Sequence, residues 1–253
     1  MTKTVSAFEC KREDLTIRGT VYRPEGDNLP VAIISHGFGG NQEMSFSYAD
    51  VLSDMGYVAF AYDFCGGSFP GTGKSDGETT EMSALTEVKD LEAVIAYAQS
   101  LDYTSDELLL MGCSQGGFVS AMVSAKHPGL VSKAVLFFPA FCIPDDARKG
   151  QMLAAKFDPK NPDDVIDCGI IKLGKCYPLD VMEMDYIEEI KAYEGPVLIV
   201  HGTADAIVNV DYSIKAEKEY KNCKLVIIEN GDHGFNPGHE KIAVTALKEF
   251  AQI

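Results

Sequence analysis

The chain alternates between short, continuously apolar runs and longer amphipathic stretches. The runs are Val31-Ala32-Ile33-Ile34-Ser35, Tyr57 to Tyr62, Leu108 to Met111, Ala134 to Phe138, Pro196 to Val200 and Lys224 to Ile228. Most lack polar residues at alternate positions, the pattern of strands covered on both faces. Between them, Met82, Leu85, Val88, Leu91, Val94, Ile95, Ala98 and Leu101 recur every three or four residues and predict an amphipathic helix. Further helices are expected over Met44 to Met55 with Gly56 as C-cap, from Ser114 to Lys126, over Val210 to Tyr220 with Asp211 as a cap, and over Lys241 to Phe250. Ala7 to Arg12 and Leu15 to Tyr22 read as an antiparallel hairpin at a sheet edge.

Strands separated by helices imply an α/β fold with a mostly parallel, doubly wound sheet. Ligands of such sheets bind beyond the carboxyl ends of the strands. No low-complexity linker divides residues 1–253, so one domain is expected. The alternation stops from Phe141 to about Glu189, and this segment, 141–189, is expected to be a lid over the carboxyl edge.

Hydrophobic residues make up 46% of the chain and charged residues 24%, as in ordinary globular proteins. The net charge of -16 argues against nucleic acid as a partner, because neutralising phosphates takes clustered Lys and Arg. No apolar run is long enough to span a membrane and no signal-like segment opens the chain, so a cytoplasmic protein without a membrane partner is expected. Cys10, Cys65, Cys113, Cys142, Cys168, Cys176 and Cys223 form no Cys-x-x-Cys pair and read mostly as core residues; no metal or organic cofactor is expected.

Candidate chemistry centres on Met111-Gly112-Cys113-Ser114-Gln115-Gly116-Gly117. A reactive serine on a tight strand-to-helix turn needs glycine two positions before and two after it, and Gly112 and Gly116 supply both. A serine hydroxyl also needs an imidazole to take its proton and an acid to orient that imidazole. Asp205 and His233 stand past the carboxyl ends of later strands, in the order nucleophile, acid, base. His239 is the rival base and Asp232 the rival acid. His36 and His201, in His-Gly pairs, read as loop braces, and His127 merely follows the helix after Ser114. The His36-Gly37-Phe38-Gly39-Gly40 loop would let backbone N–H groups approach an oxyanion. The loop from Asp63 to Gly77 lacks phosphate-loop spacing, and Asp63 is expected to bind loop N–H groups. The glycine pattern centres on Ser114, so Cys113 is expected to point inward and stay inert.

Together these motifs make the chain similar to α/β-hydrolases, and within them it resembles bacterial cinnamoyl (feruloyl) esterases. The similarity runs through His36 to Gly40, Asp63 to Gly77, Gly112 to Gly117, His201-Gly202-Thr203-Ala204-Asp205 with Val208, and Gly231-Asp232-His233-Gly234-Phe235. It implies Ser114, Asp205 and His233 as a catalytic triad and an oxyanion hole from the Phe38 and Gln115 N–H groups. It further implies a substrate-binding aspartate after Pro139-Ala140, where Asp146 fits the spacing better than Asp145; Tyr177 is a second candidate for the acyl pocket. The chain departs from the family in having Cys113 where many relatives have histidine, and a short insertion without tryptophan. The expected activity is hydrolysis of a small-molecule ester through an acyl-enzyme, with cinnamoyl, feruloyl or similar aryl or acyl groups. The same triad would also serve a thioesterase or serine peptidase, and a non-catalytic ligand-binding relative is the alternative outside enzymes.

Overall fold

The computed structural model describes residues 2–252. The chain opens with the expected hairpin, β1 (Lys3–Arg12) and β2 (Leu15–Pro24), followed by β3 (Leu29–Ser35), α1 (Phe46–Asp54), β4 (Val58–Tyr62) and α2 (Ala84–Gln99). β5 (Thr104–Cys113), α3 (Gln115–Lys126) and β6 (Lys133–Phe137) carry it to the centre of the sheet. The segment after β6 holds α4 (Ile143–Arg148), the two-residue strands β7 (Gln151–Met152) and β8 (Ala155–Lys156), the hairpin β9 (Val165–Asp167) and β10 (Lys172–Gly174), α5 (Cys176–Val181) and α6 (Tyr186–Ile190). Regular alternation then resumes with β11 (Val197–Gly202), α7 (Asp211–Glu219), β12 (Cys223–Ile228) and α8 (Pro237–Phe250).

Eight strands form one sheet in the order β1-β2-β4-β3-β5-β6-β11-β12. β1 and β2 pair antiparallel and β2 runs antiparallel to β4; every later pairing is parallel. The unbroken apolar runs follow from this arrangement. Ile33, Leu110, Leu136 and Ile199 pack under α2 and α3, while their neighbours Ile34, Met111, Val135 and Val200 pack under α1 and α8. Alternate side chains thus enter separate cores, and both faces demand apolar residues. Residues 141–190 join the α2/α3 core through Phe141, Ile171, Leu173, Tyr177, Val181 and Ile190, all buried. Among the described residues no helix is long and apolar enough to cross a membrane.

Several boundaries differ from the sequence reading for local reasons. The helix expected from Met44 begins as a tight turn over Gln42–Ser45, because the Asn41 side chain accepts the Glu43 N–H at 3.0 Å, and becomes regular at Phe46. α8 starts at Pro237, ahead of Lys241. Its first turn is polar and is set by Asn236, whose side chain accepts the Gly238 and His239 N–H groups at 3.0 and 3.1 Å. Asp211 does not cap α7; the Asn209 side chain accepts the Asp211 N–H at 2.8 Å instead. Of the seven cysteines only Cys65 and Cys142 are buried, and the other five are half-buried.

Candidate active site

Ser114 joins β5 to α3 at φ 53° and ψ -118°, a conformation that costs a non-glycine residue energy and turns its side chain out of the sheet edge. The turn closes only because its flanks lack side chains. A Cβ at Gly112 would lie 2.1 Å from the Gly116 carbonyl oxygen, and one at Gly116 would lie 2.3 Å from that of Ser35 on β3. Both obstacles are backbone and cannot swing aside. Gly116→Ala is therefore expected to cost on the order of 3 kcal/mol, read as a lowered midpoint of thermal or urea unfolding. The elbow is fastened to β6, since the Ser114 N–H donates to Phe137 O at 2.9 Å and Ser114 O accepts the Ala140 N–H at 2.9 Å.

The loops after β11 and β12 bring two more side chains to this turn. Ser114 Oγ lies 3.1 Å from His233 Nε2, and His233 Nδ1 lies 2.8 Å from Asp205 Oδ2. An N–H at Nδ1 donating to the carboxylate leaves the Nε2 lone pair facing the hydroxyl, the arrangement that allows the imidazole to take the serine proton. His233 stands edge-on to Phe138 with ring centres 4.7 Å apart, which fixes the plane of the imidazole. Burial alone would raise the Asp205 carboxyl. Hydrogen bonds from His201, His233 and the Val208 N–H outweigh it and hold the group well below the usual carboxylate range.

His201 completes this anchor. Its Nε2 faces two acceptors, Asp205 Oδ2 at 3.1 Å and Val208 O at 3.0 Å, so it carries the proton, and Nδ1 accepts from Ser213 Oγ at 2.7 Å. His36 braces a different loop, with Nε2 accepting the Phe64 N–H at 3.2 Å and Nδ1 lying 2.8 Å from Gly37 O. The rivals stand elsewhere: His239 Nδ1 lies 2.8 Å from Asn236 Nδ2, His127 faces Glu92, and Asp232 accepts the Asn236 N–H at 3.0 Å. Asp63 accepts the Gln42 and Lys74 N–H groups at 2.6 and 2.7 Å.

The loop after β3 passes directly over Ser114; a Cβ at Gly37 would stand 3.2 Å from that of the serine. Among the described residues, neither the Phe38 nor the Gln115 N–H is taken up by a hydrogen bond. Gln115 heads α3, where the first amide groups have no partner within the helix and the helix dipole favours negative charge. Its side chain belongs to a buried network the sequence reading did not contain. Tyr177 donates to Gln115 Oε1, and Gln115 Nε2 donates to Glu87 Oε2 at 2.7 Å. Burial pushes the Glu87 carboxyl well above its ordinary value, against that hydrogen bond. The available signal was Glu87 itself, a charged residue interrupting the apolar stripe of α2.

Two cavities meet at Ser114. One of about 390 Å³ is lined by Ala140, Ile143, Asp146, Met152, Tyr177 and Val208. The other, about 380 Å³, lies on the His233 side between Met44, Phe69, Cys113, Phe138 and Ile170. Phe38, Leu153 and Ile207 border both. Asp146 therefore faces a cavity, whereas Asp145 points away to Arg148 at 2.6 Å and the Tyr212 hydroxyl at 2.7 Å. Tyr177 presents its ring to the cavity while its hydroxyl is spent on Gln115. Cys113 differs from expectation, being half-buried and part of the second cavity's wall; burial and the charge of Glu240 push its thiol up to about 12, so it carries no thiolate at neutral pH.

Comparison with known proteins places the chain among the α/β-hydrolases. Residues 27–161 match the hydrolase family described as "Serine aminopeptidase, S33". Mouse monoglyceride lipase is 30% identical over 137 residues, a stretch that covers 53% of this chain and 43% of that protein, so the chain matches less than half the length of that relative. A monoacylglycerol lipase of Mycolicibacterium smegmatis is 23% identical over 222 residues, 84% of this chain and 72% of the relative. Among solved structures, Est1E from Butyrivibrio proteoclasticus with ferulic acid bound superposes with a TM-score of 0.88 at 28% identity, over 96% of this chain and 97% of that one.

Proposed function

The chain belongs to the serine aminopeptidase S33 family of α/β-hydrolases, and from that premise we propose that it is a serine carboxylic-ester hydrolase working through an acyl-enzyme. The observation that carries this reading is the continuous hydrogen-bonded line from Ser114 through His233 to Asp205, beside two N–H groups that no other group among the described residues uses. Ser114 Oγ attacks the ester carbonyl as His233 Nε2 takes its proton. The Phe38 and Gln115 N–H groups hold the resulting oxyanion, and His233 returns the proton to the alcohol oxygen as the C–O bond breaks. Water, deprotonated by the same imidazole, then adds to the acyl carbon and releases the acid.

The acyl group enters the cavity away from His233, where residues 141–189 act as a lid within one domain spanning 1–253. A hydroxycinnamoyl group suits it. The walls are largely apolar, Tyr177 and Phe38 set aromatic faces edge to face at 5.9 Å, and Asp146 stands ready to accept a phenolic hydroxyl. Burial raises the Asp146 carboxyl, and its ion-pair partner, Lys149, is as far away as 3.9 Å. The ferulic acid bound in Est1E agrees with this choice.

Rates on p-nitrophenyl acetate, methyl ferulate, an acyl-CoA thioester and a proline-containing amide test the reaction class. Esters are expected to lead by at least about a hundredfold in kcat/KM; a faster thioester, or a faster amide of the kind the family description suggests, would replace the proposal. Asp146→Ala is expected to lower the preference for methyl ferulate over methyl cinnamate about tenfold, roughly one hydrogen bond to a charged group. An unchanged ratio would remove Asp146 from recognition.

A further inference from the structure

The reaction's geometry assigns the two cavities to opposite halves of an ester. The leaving oxygen must come within reach of His233 Nε2, because that nitrogen protonates it. His233 borders the second cavity and not the first, whereas Gln115 borders the first and not the second. The alcohol half therefore lies between Met44, Phe69, Cys113, Phe138 and Ile170.

Among the described residues, that space is lined by no Asp, Glu, Lys or Arg. Its other polar side chains beside the reacting pair offer little surface to a ligand. The His36 ring nitrogens face the Phe64 N–H and the Gly37 carbonyl, and Ser45 and Tyr48 are only 2% and 5% exposed. A sugar or polyol held here would lose water from several hydroxyls and find few partners for them.

The mouth carries a second, independent sign. Met44, Ile170, Ile207 and Leu153 are 64%, 70%, 60% and 45% exposed, and all four border this cavity although they come from four separate loops. Exposed apolar side chains gathered around a cleft mark what the cleft receives. A lipid membrane surface fits less well, since a chain of net charge -16 is repelled by anionic headgroups.

The geometry points to an apolar alcohol, alkyl or aryl, as the leaving group of the physiological ester, seated against Met44 and Ile170, in place of a sugar or glycerol. This rests on the ester-hydrolase reading and adds to it the half of the substrate that reading leaves open.

The test holds the acyl group constant and varies the alcohol: methyl, butyl, hexyl, glyceryl and arabinosyl ferulate, each below its aggregation concentration. Three buried methylenes are expected to raise kcat/KM for the butyl ester about fiftyfold over the methyl ester, with the hexyl ester at least as good and both polyol esters below butyl. The double variant Met44→Gln, Ile170→Gln changes exposed positions and is expected to keep the unfolding temperature while cutting the butyl-to-methyl ratio at least about threefold. A flat alkyl series, faster polyol esters, or an unchanged ratio in the folded double variant would overturn the assignment. So would an alkyl preference that emerges only above the aggregation concentration, which would indicate binding to a lipid surface. Turnover of p-nitrophenyl acetate in the same preparation separates these outcomes from failure of the hydrolase reading, which would show as no turnover of any ester and would take this assignment with it.

Discussion

Replacing Ser114 by alanine is expected to lower kcat on p-nitrophenyl and feruloyl esters by on the order of 10⁵-fold, with the fold intact. The size of the loss follows from what the hydroxyl does. In the proposed mechanism no acyl-enzyme forms without it, and only the oxyanion donors and the binding cavities act on a water molecule. Stability changes little, because Ser114 holds its place through main-chain bonds to Phe137 and Ala140 that alanine keeps; relief of positive-φ strain is not on offer, since alanine has the same Cβ. Labelling by a fluorophosphonate probe should vanish in parallel. A variant that retained near-normal turnover would place the nucleophile elsewhere and end the proposed mechanism.

The second large effect is expected from Asp205→Asn. Oδ1 of Asp205 accepts the Ile207 and Val208 N–H groups at 2.9 and 2.8 Å, while Oδ2 accepts from His233 and His201. Four donors converge, and an amide can accept with one atom only. With its oxygen toward the backbone, its NH₂ drives His233 to the tautomer that carries a proton on Nε2, opposite Ser114. With its NH₂ toward the backbone, two main-chain donors lose their acceptor. A fall in kcat of roughly 10⁴-fold is expected, together with about 2 kcal/mol of stability.

The pH dependence separates the two contributions. The Asp205 carboxyl is depressed in the folded protein, so its stabilisation is fully present above the ordinary carboxylate value, about 4, and is lost as pH falls through the lower folded value. Urea midpoints of wild type and Asp205→Asn should differ most near neutrality and converge in strong acid. A constant difference at every pH would trace the variant's instability to packing and not to charge.

The sheet was legible because strands covered on both faces cannot hide a polar residue, and hairpin, parallel strands and intervening helices all left their periods in the chain. Helix starts were less legible. α8 begins on a polar turn fixed by Asn236, where apolar periodicity carries no signal. Ser114, Asp205 and His233 could be singled out because each follows a strand end and a glycine-bearing loop. Their supporting residues could not. His201 and Ser213 act on Asp205 through contacts between elements, and Glu87 reaches Gln115 from a helix 28 positions away in sequence. Cys113 was misplaced because the turn that projects Ser114 also leaves its neighbour on the wall of a cavity, not within the core.

Ile207 and Leu153 stand between the two cavities and border both. Ile207 hangs from the same carboxylate that orients His233, through its N–H on Asp205 Oδ1. Selection acting on this partition cannot retune one half of the substrate alone: a smaller residue at either position merges the compartments, and a larger one narrows both. On the proposed assignment of the cavities, divergence among descendants of this protein would follow separate routes, through Asp146 for the acid and through Met44 or Ile170 for the alcohol, with the shared wall the slowest part of the site to change.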